Sequence, residues 1–155
     1  MEFKQLMAGL GEKCGVGDIP VGDDGVAMLQ ADDILLSFVE IPATRQLVTY
    51  AVIADKPEGS RERLYETLLE AQHLGAATSG ATFSLSPDGK IVLHRMDMLV
   101  EMDVGMLMKT VEDFLNLVDM WRGVIKVYRP DEQPQKDDTN VPGFGLGMDS
   151  GFMAV

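Results

Sequence analysis

Apolar residues recur along the chain first at helical spacing and then at strand spacing. Phe3, Leu6, Met7 and Leu10 form one stripe with Glu2, Lys4 and Gln5 off it, which predicts a helix from Glu2 to Gly11. Gly11, Gly15 and Gly17 are expected to break that helix, and Asp18-Ile19-Pro20 to lead outward as a loop. Asp23-Asp24-Gly25 is a turn signal, after which Val26 to Gln30 and Ile34 to Ile41 read as short strands joined at Ala31-Asp32-Asp33. Gln46 to Ala54, with Val48, Thr49, Tyr50, Val52 and Ile53, is a third strand, and three in succession imply an antiparallel meander.

Asp55 to Gly59 closes the meander. Ser60 is placed to cap a helix over Arg61 to Leu74, whose Leu64, Leu68 and Ala71 fall in line, with Tyr65 and Leu69 beside them and Gly75 at the end. Thr82 to Leu85 and Ile91 to His94 flank Ser86-Pro87-Asp88-Gly89-Lys90, a hairpin turn. The longest helix is predicted from about Asp103 to Val127, with Leu107, Val111, Phe114, Leu115, Val118, Trp121 and Ile125 on one face. Beyond Tyr128 the residues are polar and proline-bearing, then glycine-rich, so 129–155 is expected to be a disordered tail on a single domain spanning 1–128. The expected fold is α+β, in the order α-β-β-β-α-β-β-α, a twisted antiparallel sheet packed against helices.

Composition changes this picture by exclusion. With 25 acidic against 13 basic residues, the net charge of −12 disfavours nucleic acid and anionic membranes as partners, because both are held through Lys and Arg. The single cysteine, Cys14, rules out an internal disulfide and a multi-cysteine zinc site. No apolar run approaches the roughly 20 residues that a membrane-spanning helix needs, and the N-terminus has no basic stretch followed by an apolar one. A cytoplasmic protein, not inserted in a membrane, is expected.

Chemistry-bearing motifs are sparse. Gly75 to Thr82 has the glycine spacing of a phosphate-binding loop, but Ala81 stands where its lysine belongs, and the segment runs from helix into strand instead of the reverse. His73 and His94 have no spacing relation to Cys14 or to each other that would build a metal site or triad. Asp23-Asp24 and Asp32-Asp33 read as turn residues before they read as a catalytic pair. No catalytic residue, metal or cofactor is assigned. Met96, Met98, Met102, Met106 and Met108, among 11 methionines, are less ordinary. They suit either core filling where the last helix begins or a surface that adapts to varied apolar partners.

The run Leu68-Leu69-Glu70-Ala71-Gln72-His73-Leu74-Gly75-Ala76-Ala77-Thr78-Ser79-Gly80-Ala81-Thr82-Phe83-Ser84-Leu85, followed by the Asp88-Gly89 hairpin and the Trp121-bearing helix, resembles the Tir-chaperone (CesT-like) family of type III secretion chaperones. The likeness extends in outline from Phe3 to Lys126. It implies a bacterial, cytoplasmic homodimer that binds the N-terminal segment of a secreted effector without ATP. It also implies that the first and last helices share one face of the sheet, and that the second helix and adjoining hairpin strand form the dimer interface. On that basis Leu64, Leu68, Leu69 and Phe83 are expected at the interface. Phe3, Leu6, Leu10, Leu29, Leu36 and Phe38 are expected to touch the effector, although each also fits a core position. Two alternatives stand beside this: a YbjN-like regulatory protein of similar fold, and a small α+β enzyme using the turn aspartates. A concave pocket with convergent polar groups would favour the enzyme.

Overall fold

The computed structural model describes residues 2–129. Helix α1, Phe3–Cys14, begins with a capping box in which the Gln5 side chain accepts from the Glu2 amide at 3.3 Å. It runs one turn further than the glycines suggested. Gly15, at φ +72°, ends it, with Gly15 N–H donating to Glu12 and Val16 N–H to Gly11. Gly11 stays inside the helix for a packing reason: a Cβ there would lie 1.8 Å from the Gly17 carbonyl oxygen. The segment after α1 folds back against its last turn.

Strands β1 (Val26–Ala31), β2 (Ile34–Ile41) and β3 (Gln46–Asp55) form the meander. Helix α2 (Glu62–Gln72) then leads through a 3-10 turn into β4 (Thr82–Leu85) and β5 (Lys90–Met98), and α3 spans Val104–Lys126. All pairings are antiparallel, in the order β1-β2-β3-β5-β4. The expected α+β order is therefore the observed one. Some boundaries differ. Ser60 does not cap α2, which begins beyond it after Arg61. Strand β5 runs four residues past His94, so Met96 and Met98 are strand residues and not part of the approach to α3. Asp103 caps α3, its carboxylate accepting from Met106 N–H at 2.8 Å. The tail expected over 129–155 lies, apart from Arg129, outside the described residues.

Helices α1 and α3 cover one face of the sheet. The α1 stripe of Phe3, Leu6, Met7 and Leu10 and the α3 stripe from Leu107 to Ile125 meet Leu29, Leu36, Phe38, Leu47, Ile53, Ile91 and Leu93 in one core. A Cβ on Gly9 would meet Val104 at 2.6 Å, which shows how closely α1 approaches the start of α3. Trp121 ties the far end together: its indole N–H donates to the Ala77 carbonyl at 3.2 Å, and its ring meets Phe83 edge-on at 4.9 Å.

Gly11→Ala should lower the melting temperature by roughly 5–10 °C, the consequence of about 1–3 kcal/mol of overpacking. An unchanged thermal melt would show that the loop carrying Gly17 does not rest on α1.

Candidate binding surfaces

The sheet has a second face, which no helix of the described residues covers. Its rows follow from the register. Val26, Val39, Val48 and Met96 are paired in succession across β1, β2, β3 and β5. Met28, Ser37, Tyr50, His94 and Thr82 form the next row, across all five strands. Gln30 pairs with Leu35, and Val52 with Val92, on one side of these rows, while Ile41, Gln46 and Met98 lie on the other. Met28 and Met96 remain 53% and 52% exposed, and Leu35, Val52 and Met98 are exposed to a similar degree.

The rows of this face are largely apolar, and charge enters only at its margin, where Lys90 at the start of β5 pairs with Asp55. The rows otherwise carry no Asp, Glu, Lys or Arg, in a chain that holds 25 acidic residues. His94 is its one imidazole, and burial lowers its pKa from 6.5, so it is neutral at pH 7 and adds no charge to the row. At one margin the outer edge of β1 has no strand partner among the described residues beyond the single bridge Val21–Ala27. Beyond Val26 and Ala27, which the Val21–Asp24 segment engages, its backbone groups are open to pairing.

A smaller apolar surface lies where α2 packs on β4. Tyr65, Leu68, Leu69, Phe83, Ser84, Leu85 and Ile91 line a groove of about 240 Å³. Leu69 is 62% exposed beside it, whereas Leu68 is 5% exposed. The Tyr65 hydroxyl is buried with no hydrogen-bond partner among the described residues.

The residues expected from sequence separate accordingly. Leu68, Leu69 and Phe83 do converge on the α2–β4 groove, while Leu64 is buried beneath it in the core. Phe3, Leu6, Leu10, Leu29, Leu36 and Phe38 are all core residues, with Leu6, Leu10, Leu36 and Phe38 fully enclosed. A partner could reach them only by opening the core. Their immediate neighbours in sequence, the exposed Met28 and Leu35 and the half-buried Val39, point instead to the other face.

The methionine group also divides. Met102 is buried; Met108 is half-buried, with the Cys14 thiol 3.8 Å from its sulfur; Met96 and Met98 lie on the open sheet face; and Met106 is exposed on α3. Burial, then the carboxylate of Glu112, raises the Cys14 pKa, which makes the thiol a poor nucleophile. The two aspartate pairs sit at opposite ends of β1 and do not converge. Asp24 accepts from Val26 N–H at 3.1 Å in a turn, and Asp33 pairs with Arg122 at 2.9 Å. Among the described residues no group of three or more His, Cys, Asp or Glu is placed to hold a metal, and no helix is long and apolar enough to cross a membrane.

With this geometry in hand, comparison with known proteins is specific. The model of the Tir chaperone protein (CesT) family matches residues 5–122. Among solved structures, a chain of the HopA1–SchA chaperone–effector complex superposes with a TM-score of 0.64 at 15% identity, covering 78% of this chain and 93% of that one. A chain of the ExsC–ExsE complex gives 0.64 at 15% identity over 80% and 96%. The Yersinia pestis type III secretion chaperone SycH, solved with a stable fragment of YscM2, has a matching chain at 0.61 and 14% identity over 77% and 98%. At these identities the superpositions establish a shared fold. The curated protein sequences give no match.

Proposed function

The chain belongs to the Tir chaperone protein (CesT) family, and on that premise we propose that it is a bacterial, cytoplasmic type III secretion chaperone. It binds the N-terminal segment of a secreted effector and keeps that segment soluble and competent for export. The observation that carries this reading is the open sheet face: a largely apolar five-strand surface with charge only at the Lys90–Asp55 margin, beside the β1 edge, which has no strand partner among the described residues. Such a surface suits an extended polypeptide that sets alternate side chains on the apolar rows and pairs its backbone with β1. The half-exposed Met28, Met96 and Met98 let one surface accommodate different side chains. A chaperone–effector complex and a type III secretion chaperone with a bound fragment among the fold relatives support the same role. No nucleotide is needed, since Gly75 to Thr82 lacks the lysine of a phosphate loop and leads into β4.

The working unit in this reading is a homodimer joined through α2 and β4. Leu69, Phe83 and Leu85 of one protomer fill the groove of its partner, and the buried Tyr65 hydroxyl gains a hydrogen bond across the interface. Leu64 and Leu68 shape this interface from beneath.

The client is found by isolating the chain from its native host, identifying the protein that accompanies it, and measuring affinity for that protein's N-terminal segment. Binding should persist at about 1 M salt, where the Debye length is only about 3 Å but apolar burial is undiminished. A complex that dissociates at moderate salt would indicate recognition by charge and contradict the proposal. For the dimer, Leu69→Asp should yield folded monomers in sedimentation at micromolar concentration, because the residue is exposed within one chain. A variant that remains dimeric would place the interface elsewhere.

A further inference from the structure

The open face carries one group that changes charge near neutral pH. His94 lies in its middle row, with Tyr50 of β3 directly across on one side and Thr82 of β4 on the other. Along β5 its neighbours on the same face are Val92 and Met96. The imidazole is half-buried. No charged group or hydrogen-bond partner acts on it among the described residues, and burial alone favours its neutral form.

Few groups are near enough to hold a charge against it. Tyr50 is the titratable residue facing it from β3, β4 brings only the Thr82 and Ser84 hydroxyls, and no helix of the described residues covers this side. Lys90, paired with Asp55, lies four residues away on the same strand, or about 13 Å. Arg95 and Asp97 point to the opposite face, where they pair with each other at 2.6 Å. No carboxylate of the rows is placed to neutralise an imidazolium at His94. An apolar segment laid over that cation would strip its water and supply nothing in exchange, whereas the neutral ring can be covered at much lower cost.

We propose that His94 is a proton-sensitive determinant of the client site: an effector segment binds the open face with His94 neutral and is released as the imidazole takes up a proton. The inference rests on the client reading above and deepens it by giving that surface a pH-dependent affinity. Its sign follows from linkage. Covering the ring favours the neutral form further, so binding expels a proton wherever the free chain holds one. Affinity is constant above the pKa of His94 in the free chain, which burial holds below the usual 6.5, and falls by up to about ten-fold per pH unit beneath it. Histidine is the side chain that ordinarily titrates between about pH 5 and 8. The chain has only one other, His73, exposed in the turn after α2.

The test measures affinity for the N-terminal segment of the protein co-isolated with the chain, by titration calorimetry at pH 7.5 and 5.0. The full chain and His73→Gln should bind at least about three-fold more weakly at pH 5.0. His94→Gln should bind alike at both values, and His94→Lys, which carries its charge permanently, should bind weakly at both. Thermal melts establish that each variant is folded. In the unsubstituted chain, the His94 ring signals followed by nuclear magnetic resonance should titrate at lower pH once the segment is bound. Equal affinity of the unsubstituted chain at the two pH values, the same loss in His94→Gln, or a ring titration that the segment leaves unmoved would overturn the proposal and leave the client reading intact. A segment that fails to bind at pH 7.5 would remove the client reading and this proposal with it.

Discussion

The structure depends on a sheet whose two faces are both largely apolar while the helices of the described residues cover only one. Closing Leu29, Leu36, Phe38, Leu47 and Leu93 under α1 and α3 supplies the burial that folds the chain. Each such side chain contributes about 1.5–3 kcal/mol when fully removed from water. The opposite rows, from Val26 to Met96, leave part of that gain unrealised. Burying one half-exposed Val, Leu or Met would return about half as much, close to the ~1–2 kcal/mol needed to order one residue of an extended partner. Side-chain contacts alone would therefore roughly break even. Backbone pairing along the β1 edge, at about 0.5–1.5 kcal/mol per hydrogen bond, tips the balance. The apolar face and the free edge work as one surface.

Much of the fold was legible in the sequence because its signals are local. The Pro87-Asp88-Gly89 turn and the stripe from Leu107 to Ile125 each fix an element without help from distant residues. What failed was long-range. Gly11 reads as a helix breaker until Gly17 is seen packed against it, and His94 reads as a strand end until β3 is seen pairing as far as Met98. The exposed and buried sets of β2 differ by one residue in phase. In β2 the run Ile34-Leu35-Leu36-Ser37-Phe38-Val39 is apolar at nearly every position, so period-two alternation does not say which set meets the helices. Leu36 and Phe38 went to the core, and Leu35 and Val39 to the open face. In α1 the stripe of Phe3, Leu6 and Leu10 identified a buried face, and on an amphipathic helix that is the core side.

The strong acidity acquires a role when set beside this geometry. Among the described residues negative charge lies on helices, turns and strand ends, and the open rows from Val26 to Met96 contain none. The charge favours solubility, while the largely uncharged face remains available for apolar contact. At the other end of the sheet, Trp121 holds Phe83 and the Ala77 loop, which fixes β4 relative to α2 and gives the second apolar groove a defined shape. The two apolar surfaces thus rest on one core, the open face beside it and the α2–β4 groove sharing Leu68 and Ile91 with it.

The central claim is that the open face serves binding and not folding. Met28→Lys with Met96→Lys in one chain tests it most directly, by measuring the melting temperature and the affinity for the effector segment on the same preparation. Both sites are half exposed, so stability should change by no more than about 0.5 kcal/mol per site, while affinity should fall at least about ten-fold as two charges enter the apolar rows. Unchanged affinity in a folded double variant would contradict the account.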